Sequence, residues 1–263
     1  VPAENKPCGT RTLGLDKGYT EVFTDHNGRR YGKNLGKILT EVSDRRNLKG
    51  KRRNKIRSVK EKLEVKNPKK AARIEKNNLG KVKFNRAKKR DEAVIRTEVR
   101  TAVHVVFSRA REVIIEDLSR NIPGKSKGPK WNRRLSSWVK GETQTAIEEI
   151  STRRSGAASI EVNAAYTSQE HHRCGCLGRR EGDDFHCEVC RVVESADRNA
   201  ARSILKRRDD TEITRWMPHR QVRTILEGRT LRRRNLHLPD SSCNPEGLST
   251  ESELRNIPSV DPI

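Results

Sequence analysis

The chain has 263 residues, enough for one large domain or two small ones, and 58 Lys and Arg stand against 35 Asp and Glu, for a net charge of +23. That balance points to a polyanion partner and away from an acidic small molecule as the main ligand, with a merely solvated basic surface as the plainer alternative. No signal-peptide pattern, lipidation motif or bilayer-length apolar run is visible, so the expected location is the cytoplasm.

In chain order, Arg11 to Asp16 is a short apolar run ending in an acid, and Lys17-Gly18 marks a turn. Tyr19 to Thr24 alternates as a strand does, Asp25-His26-Asn27-Gly28 reads as a hairpin turn, and Arg29 to Gly32 is the expected return strand. Leu35, Ile38, Leu39 and Val42 then recur at helical spacing, and the helix is expected to end at Asn67-Pro68. A second long helix is expected over Lys69 to Arg111, with an interruption near Gly80. Its last third carries an apolar stripe of Val94, Ile95, Val99, Val103, Val106 and Phe107. Between Arg45 and Arg90, twenty-one Lys and Arg face only three Glu. A basic helical hairpin over about 35–111 is therefore expected, with its far end in solvent.

Val113 to Glu116 reads as a buried strand ending in an acid, and Ser119 to Trp131, with two Pro and two Gly, as a mobile loop. Trp131 to Arg154 is expected to be helical, with Leu135, Trp138, Ile147 and Ile150 in the core, and Ala158 to Asn163 to be a strand. Beyond Arg207 the periodicity fades, although Val222 to Leu231 fits one short helix. From His237 onward, Pro, Ser, Asn and Asp predict disorder.

Four of the six cysteines fall between Cys174 and Cys190, while Cys8 and Cys243 stand apart, which fits a metal site in a reducing compartment better than a disulfide framework. His171 and Cys174 are spaced H-x2-C, and Cys187 and Cys190 C-x2-C. Two intervening residues let a tight turn aim both ligands at one ion, and two such knuckles complete the tetrahedron of structural zinc. His172, Cys176 and His186 lie close enough to compete as ligands; the one-residue gap in Cys174-Gly175-Cys176 makes Cys176 the expected spectator.

Three acids stand at the ends of elements. Asp16 closes L-G-L-D, Glu116 closes V-I-I-E, and Asp197 opens a helix. Singly, each is readily a cap or an ion-pair member, and Asp197 is where a helix dipole favours an acid. As a set beside one sheet they suggest a carboxylate cluster that holds a divalent metal. Hard Mg2+ suits such oxygens.

G-L-D-K-G around Asp16, V-I-I-E-D-L around Glu116 and A-D-R-N-A-A-R-S-I-L around Asp197 resemble the three motifs of a RuvC-like, RNase H-fold nuclease. Their order, with a ribbon just before the third motif after Y-T-S-Q (Tyr166 to Gln169), resembles the TnpB family, the OrfB-type transposases related to compact type V CRISPR effectors. The resemblance spans about Thr10 to Arg207. It implies an α/β fold with an RNase H-like (RuvC) mixed sheet flanked by helices, a long basic helical hairpin and an inserted zinc ribbon. It also implies an Mg2+-dependent DNA endonuclease directed by a guide RNA, in a prokaryotic cytoplasm or nucleoid, with Asp16, Glu116 and Asp197 as catalytic, Mg2+-holding residues. Structural Zn2+ would sit on His171, Cys174, Cys187 and Cys190, with His171 where the family's T-S-Q-x-C pattern has Cys. The implied division is a first part of the nuclease core over 1–160, a target nucleic-acid-binding ribbon over 161–193, the last core helix over 194–207, and a basic then disordered tail over 208–263. The short lead into the first motif suggests the C-terminal portion of a longer protein. A nuclease-inactive binder on the same fold, and a transposase or resolvase acting without RNA, remain the alternatives.

Overall fold

Leu13, Leu15, Val113 and Ile115 alternate with residues that point the other way, and that alternation builds the centre of the molecule. The computed structural model describes residues 6–119 and 140–236. β1 (Arg11–Lys17), β2 (Phe23–Asp25), β3 (Arg30–Tyr31), β4 (Ala110–Asp117) and β5 (Ala158–Asn163) form one five-stranded sheet in the order β3-β2-β1-β4-β5. β2 runs antiparallel to both β1 and β3, while β1, β4 and β5 are parallel. The turn between β2 and β3 closes as the sequence predicts. Gly28 adopts φ +88°, and the Asp25 carboxylate accepts from the backbone N–H groups of Asn27 and Arg29, each at 2.9 Å.

Helices cover both faces. α1 (Leu35–Lys66), α2 (Pro68–Asn78) and α3 (Val82–Phe107) form the basic hairpin, and α4 (Lys140–Arg153) follows β4. Leu35 and Leu39 of α1, Val99, Val103 and Phe107 of α3, and Ile147 and Ile150 of α4 pack on the face that carries Leu13, Leu15, Val113 and Ile115. The other face receives one helix, α5 (Ala196–Arg207), whose Ile204 and Leu205 meet Ile114, Ile160 and Val162. A smaller antiparallel sheet of β6 (Arg179–Glu181), β7 (Asp184–Cys187) and β8 (Val192–Ser195) is inserted between β5 and α5.

Several expectations need correction. Tyr19 to Val22 is not strand: it bends around the start of α1, where the Gly36 N–H donates to the Thr20 carbonyl at 2.8 Å. Val94 is exposed, because the buried face of α3 runs through Ile95, Val99, Ala102, Val103 and Val106 and Val94 falls about 100° away. The interruption expected near Gly80 does part the second helix into α2 and α3, but its end comes earlier than Arg111, since 110–111 already belong to β4. Past Arg207 the chain stays packed. α6 (His219–Asn235) is longer than expected, and Ile213, Val222 and Leu226 bury against Ala165. The expected loop up to Trp131, the start of the following helix with Leu135 and Trp138, Cys243, and the tail from His237 lie outside the described residues.

α5 lies close against β1 because Gly14 has no side chain. A Cβ there would come within 2.4 Å of the Ala201 carbonyl oxygen and 2.6 Å of the Leu205 Cβ. Gly14→Ala should therefore cost about 1–3 kcal/mol of folding stability, read as a lower denaturation midpoint at unchanged slope.

Candidate active site and metal centre

The alternation that sends Leu15 and Ile115 into one core sends Asp16 and Glu116 to the opposite face, toward α5. Leu15 pairs with Ile115 in the parallel ladder, so Asp16 and Glu116 follow one step on, side by side. Asp197 arrives from the first turn of α5. Asp16 feels both neighbours. Burial raises its pKa well above the ordinary 3.8, and the negative charges of Glu116, Asp197 and Glu21 push the same way, with the Arg180 guanidinium opposing them. The three predicted acids thus share one electrostatic field, and Glu21, buried beside Thr24, adds to it.

Two of the three acids, Glu116 and Asp197, are tethered by neighbouring side chains. Thr167 donates its hydroxyl to Glu116 Oε1. The turn that presents Thr167 contains Tyr166 at φ +62°, an uncommon backbone for a non-glycine residue, and is pinned by Ala165 N–H donating to Asn163 Oδ1 at 2.9 Å. Arg180, from β6 of the insertion, donates to Asp197 Oδ1 at 2.7 Å. On the far side of the sheet, the buried Lys17 ammonium donates to the Glu116 carbonyl at 3.2 Å and to Gln144 Oε1 at 3.1 Å, locking β1, β4 and α4 together.

The insertion gathers the second group of predicted ligands. His171 Nδ1 lies 3.1 Å from Cys174 Sγ, and Cys174 Sγ lies 3.7 Å from Cys187 Sγ. The ligating atoms of His171, Cys174, Cys187 and Cys190 are all within 4.8 Å of one another, and the first three residues are buried. A tetrahedron with Zn–S bonds of about 2.3 Å has edges of about 3.8 Å, so the sulfur spacing fits a metal such as zinc. Two turns produce this. Gly175 at φ +68° lets its N–H reach the His171 carbonyl at 2.8 Å, and the Cys190 N–H donates to Cys187 Sγ at 3.4 Å. Cys176, His172 and His186 stand outside the quartet; Cys176 is fully buried, and its carbonyl accepts from the His171 N–H. The carboxylates differ. Among the described residues they form no group with oxygens as tightly drawn, as like charges without a counter-ion would not.

The insertion is bolted to α5. Asn199 Nδ2 and Ser203 Oγ both donate to the Glu170 carbonyl at 2.8 Å, and Asn199 Oδ1 accepts from the His172 N–H at 3.0 Å. Arg207, 3 % exposed, pairs with the Glu170 carboxylate and donates to the Asn163 carbonyl at 3.1 Å. Arg229 of α6 reaches the same Glu170 at 3.4 Å and Asp210 at 2.8 Å. Sequence reasoning missed Thr167, Arg180, Glu170 and Arg207 as contributors, because their partners lie far away in sequence. The only local trace was the Y-T-S-Q stretch.

What these elements define is a mixed α/β domain with an acidic centre and a His/Cys3 cluster, spaced as metal ligands are, inserted ahead of its last core helix. Residues 142–204 match the family model described as Cas12f1-like, TNB domain, consistent with a TnpB/Cas12f-like family member. The matched span holds the four metal-type ligands and Asp197, and stops short of Asp16 and Glu116. No curated protein matches the chain. Among the described residues no helix is long and apolar enough to cross a membrane.

His171→Ala should remove one zinc equivalent per chain, measured by metal analysis, and lower the melting temperature. Chelation of the parent protein should reproduce that loss.

Proposed function

We propose that the chain carries the nuclease centre of a TnpB-type, RNA-guided DNA endonuclease working in the cytoplasm, in which Asp16, Glu116 and Asp197 hold Mg2+ and hydrolyse a phosphodiester. The observation that carries this reading is the parallel β1–β4 register, which sets Asp16 and Glu116 one step past the Leu15–Ile115 pair with Asp197 on the first turn of the adjacent α5; the raised pKa of Asp16, from burial and the charges of Glu116 and Asp197, agrees with it. Carboxylates crowded in this way lose free energy unless a cation joins them, and hard oxygen donors favour Mg2+ over softer metals. The sheet order β3-β2-β1-β4-β5, with β2 antiparallel to its neighbours, supports the RNase H-like, RuvC-type reading of the fold.

Bound at the acids, Mg2+ supplies an activated water and charge stabilisation at the leaving 3′ oxygen. The chain's own residues prepare the place. Thr167 fixes one Glu116 oxygen. Arg180, now on Asp197, presents a planar fork that also suits a phosphate. The ribbon, with zinc at its centre, sets the start of α5 through Asn199 and Ser203 and so positions Asp197. The basic residues of α1 to α3 meet backbone phosphates of guide RNA or target DNA, contacts that position without reading sequence. Reading is left to guide pairing.

The test is plasmid cleavage in Mg2+ by the protein together with its co-purified RNA. Asp16→Ala and Glu116→Ala should each lower the rate at least about a thousandfold, or roughly 4 kcal/mol of barrier. Equal cutting by the variants overturns the assignment. Binding without cutting by the parent points instead to a nuclease-inactive effector.

A second prediction concerns folding. Because the folded state holds a proton on Asp16 that the unfolded chain has released, stability in Mg2+-free buffer falls as the pH rises above the unfolded value of about 3.9 toward the raised folded pKa. Asp16→Asn removes this penalty. It should melt a few degrees higher than the parent at pH 7.5 without Mg2+, with the difference vanishing near pH 4 and shrinking when Mg2+ is added.

A further inference from the structure

His171 differs from the three cysteines of the ribbon cluster in two ways. It brings no negative charge to the ligand set, and it is a ligand with two nitrogens, one of which must carry a proton and face an acceptor. The structure contains a group that answers both. Glu194, on β8, places Oε1 3.3 Å from His171 Nε2, on the side of the ring opposite Cys174, which lies 3.1 Å from Nδ1. His171 is 1 % exposed and the Glu194 side chain 20 %. Charged neighbours flank the carboxylate, with His172 Nδ1 3.0 Å from Oε1 and Arg202 Nη1 of α5 3.6 Å from Oε2, yet Oε1 is a buried acceptor that no hydrogen bond satisfies. The His171 ring also stacks on the fully buried Phe185, with centroids 5.8 Å apart, which limits its rotation.

We propose that Glu194 is the outer-shell carboxylate of the ribbon metal site, accepting the Nε2 proton of His171 so that this residue ligates through Nδ1. This rests on the reading that the His/Cys3 cluster holds zinc. Glu194 is a positioning residue and not a ligand. A carboxylate behind an imidazole fixes its tautomer and strengthens it as a donor, and loss of such a partner typically weakens metal binding about 10–100-fold. Glu194 also stands three residues before Asp197 on a continuous segment. The same carboxylate that orients the zinc ligand therefore anchors the entry to the helix that bears the third acid.

A double-mutant cycle on the whole chain tests this, with zinc affinity read by competition against a chromogenic chelator. Glu194→Gln should weaken zinc binding about 10–100-fold. In a His171→Cys background, where the ligand has no second nitrogen, the same Glu194→Gln change should alter affinity less than about threefold. An equal loss in both backgrounds would show that Glu194 supports the ribbon without acting through His171, and would overturn the proposal. Nitrogen-15 NMR of His171 in the zinc-loaded parent gives an answer independent of variant folding: metal on Nδ1 with a proton on Nε2 supports the assignment, and the reverse tautomer overturns it. Parent protein that binds no zinc at all would overturn the underlying metal reading, an outcome distinct from either.

Discussion

Between Gly14 and the Ala201 carbonyl there is no room for a methyl group, and that closeness fixes where α5 can lie. The helix does three jobs at once. Its apolar side closes the second face of the sheet through Ile204 and Leu205. Its first turn delivers Asp197 to the acids of β1 and β4. Its polar side, through Asn199, Ser203 and Arg207, grips the backbone and carboxylate of Glu170 at the root of the ribbon. A shift of α5 by one register position would break all three. The buried Arg207–Glu170 pair would be especially costly to break, since Arg207 left alone is an uncompensated charge out of water and Glu170 would keep only Arg229.

The acidic centre and the metal cluster handle charge in opposite ways. The ribbon gathers cysteine sulfurs and an imidazole whose atoms already stand at metal-site spacing, with the buried Phe185 ring stacked behind the imidazole. The carboxylates of Asp16, Glu116 and Asp197 are brought to one place yet held apart, and part of their charge is met by Arg180 and by the Thr167 hydroxyl. The first arrangement suits permanent occupancy. In the second, the protein alone does not balance the charge.

Much of this was readable from local pattern. An apolar run that ends in an acid, as in Val113 to Glu116, can hardly be anything but a buried strand, and paired ligands two residues apart can close on one ion wherever the ribbon sits. Asn67-Pro68 and Gly80 broke the hairpin where backbone chemistry requires. The failures are equally physical. Tyr19 to Val22 alternates like a strand, but Thr20 is drawn off the sheet by the N–H of Gly36. α6 was expected only over Val222 to Leu231, because its ends, from His219 to Gln221 and from Arg232 to Asn235, are polar and carry no apolar period. Thr167, Arg180 and Glu194 gain their meaning only from partners brought near by the fold, and nothing in their own neighbourhood marks them.

The exposed length of α1 has a mechanical meaning. Its last buried residue is Ser43, and the helix continues to Lys66, so it carries its cations along the axis for about 35 Å past that point. That is close to one full turn of a nucleic-acid duplex. α2 and α3 brace this arm, with Arg53 donating to the Leu79 carbonyl at 2.6 Å and Arg46 pairing with Asp91 at 3.1 Å. The arm is therefore a stiff ruler rather than a flexible tether. A polyanion held along it would be placed in a fixed register with the acids at the other end.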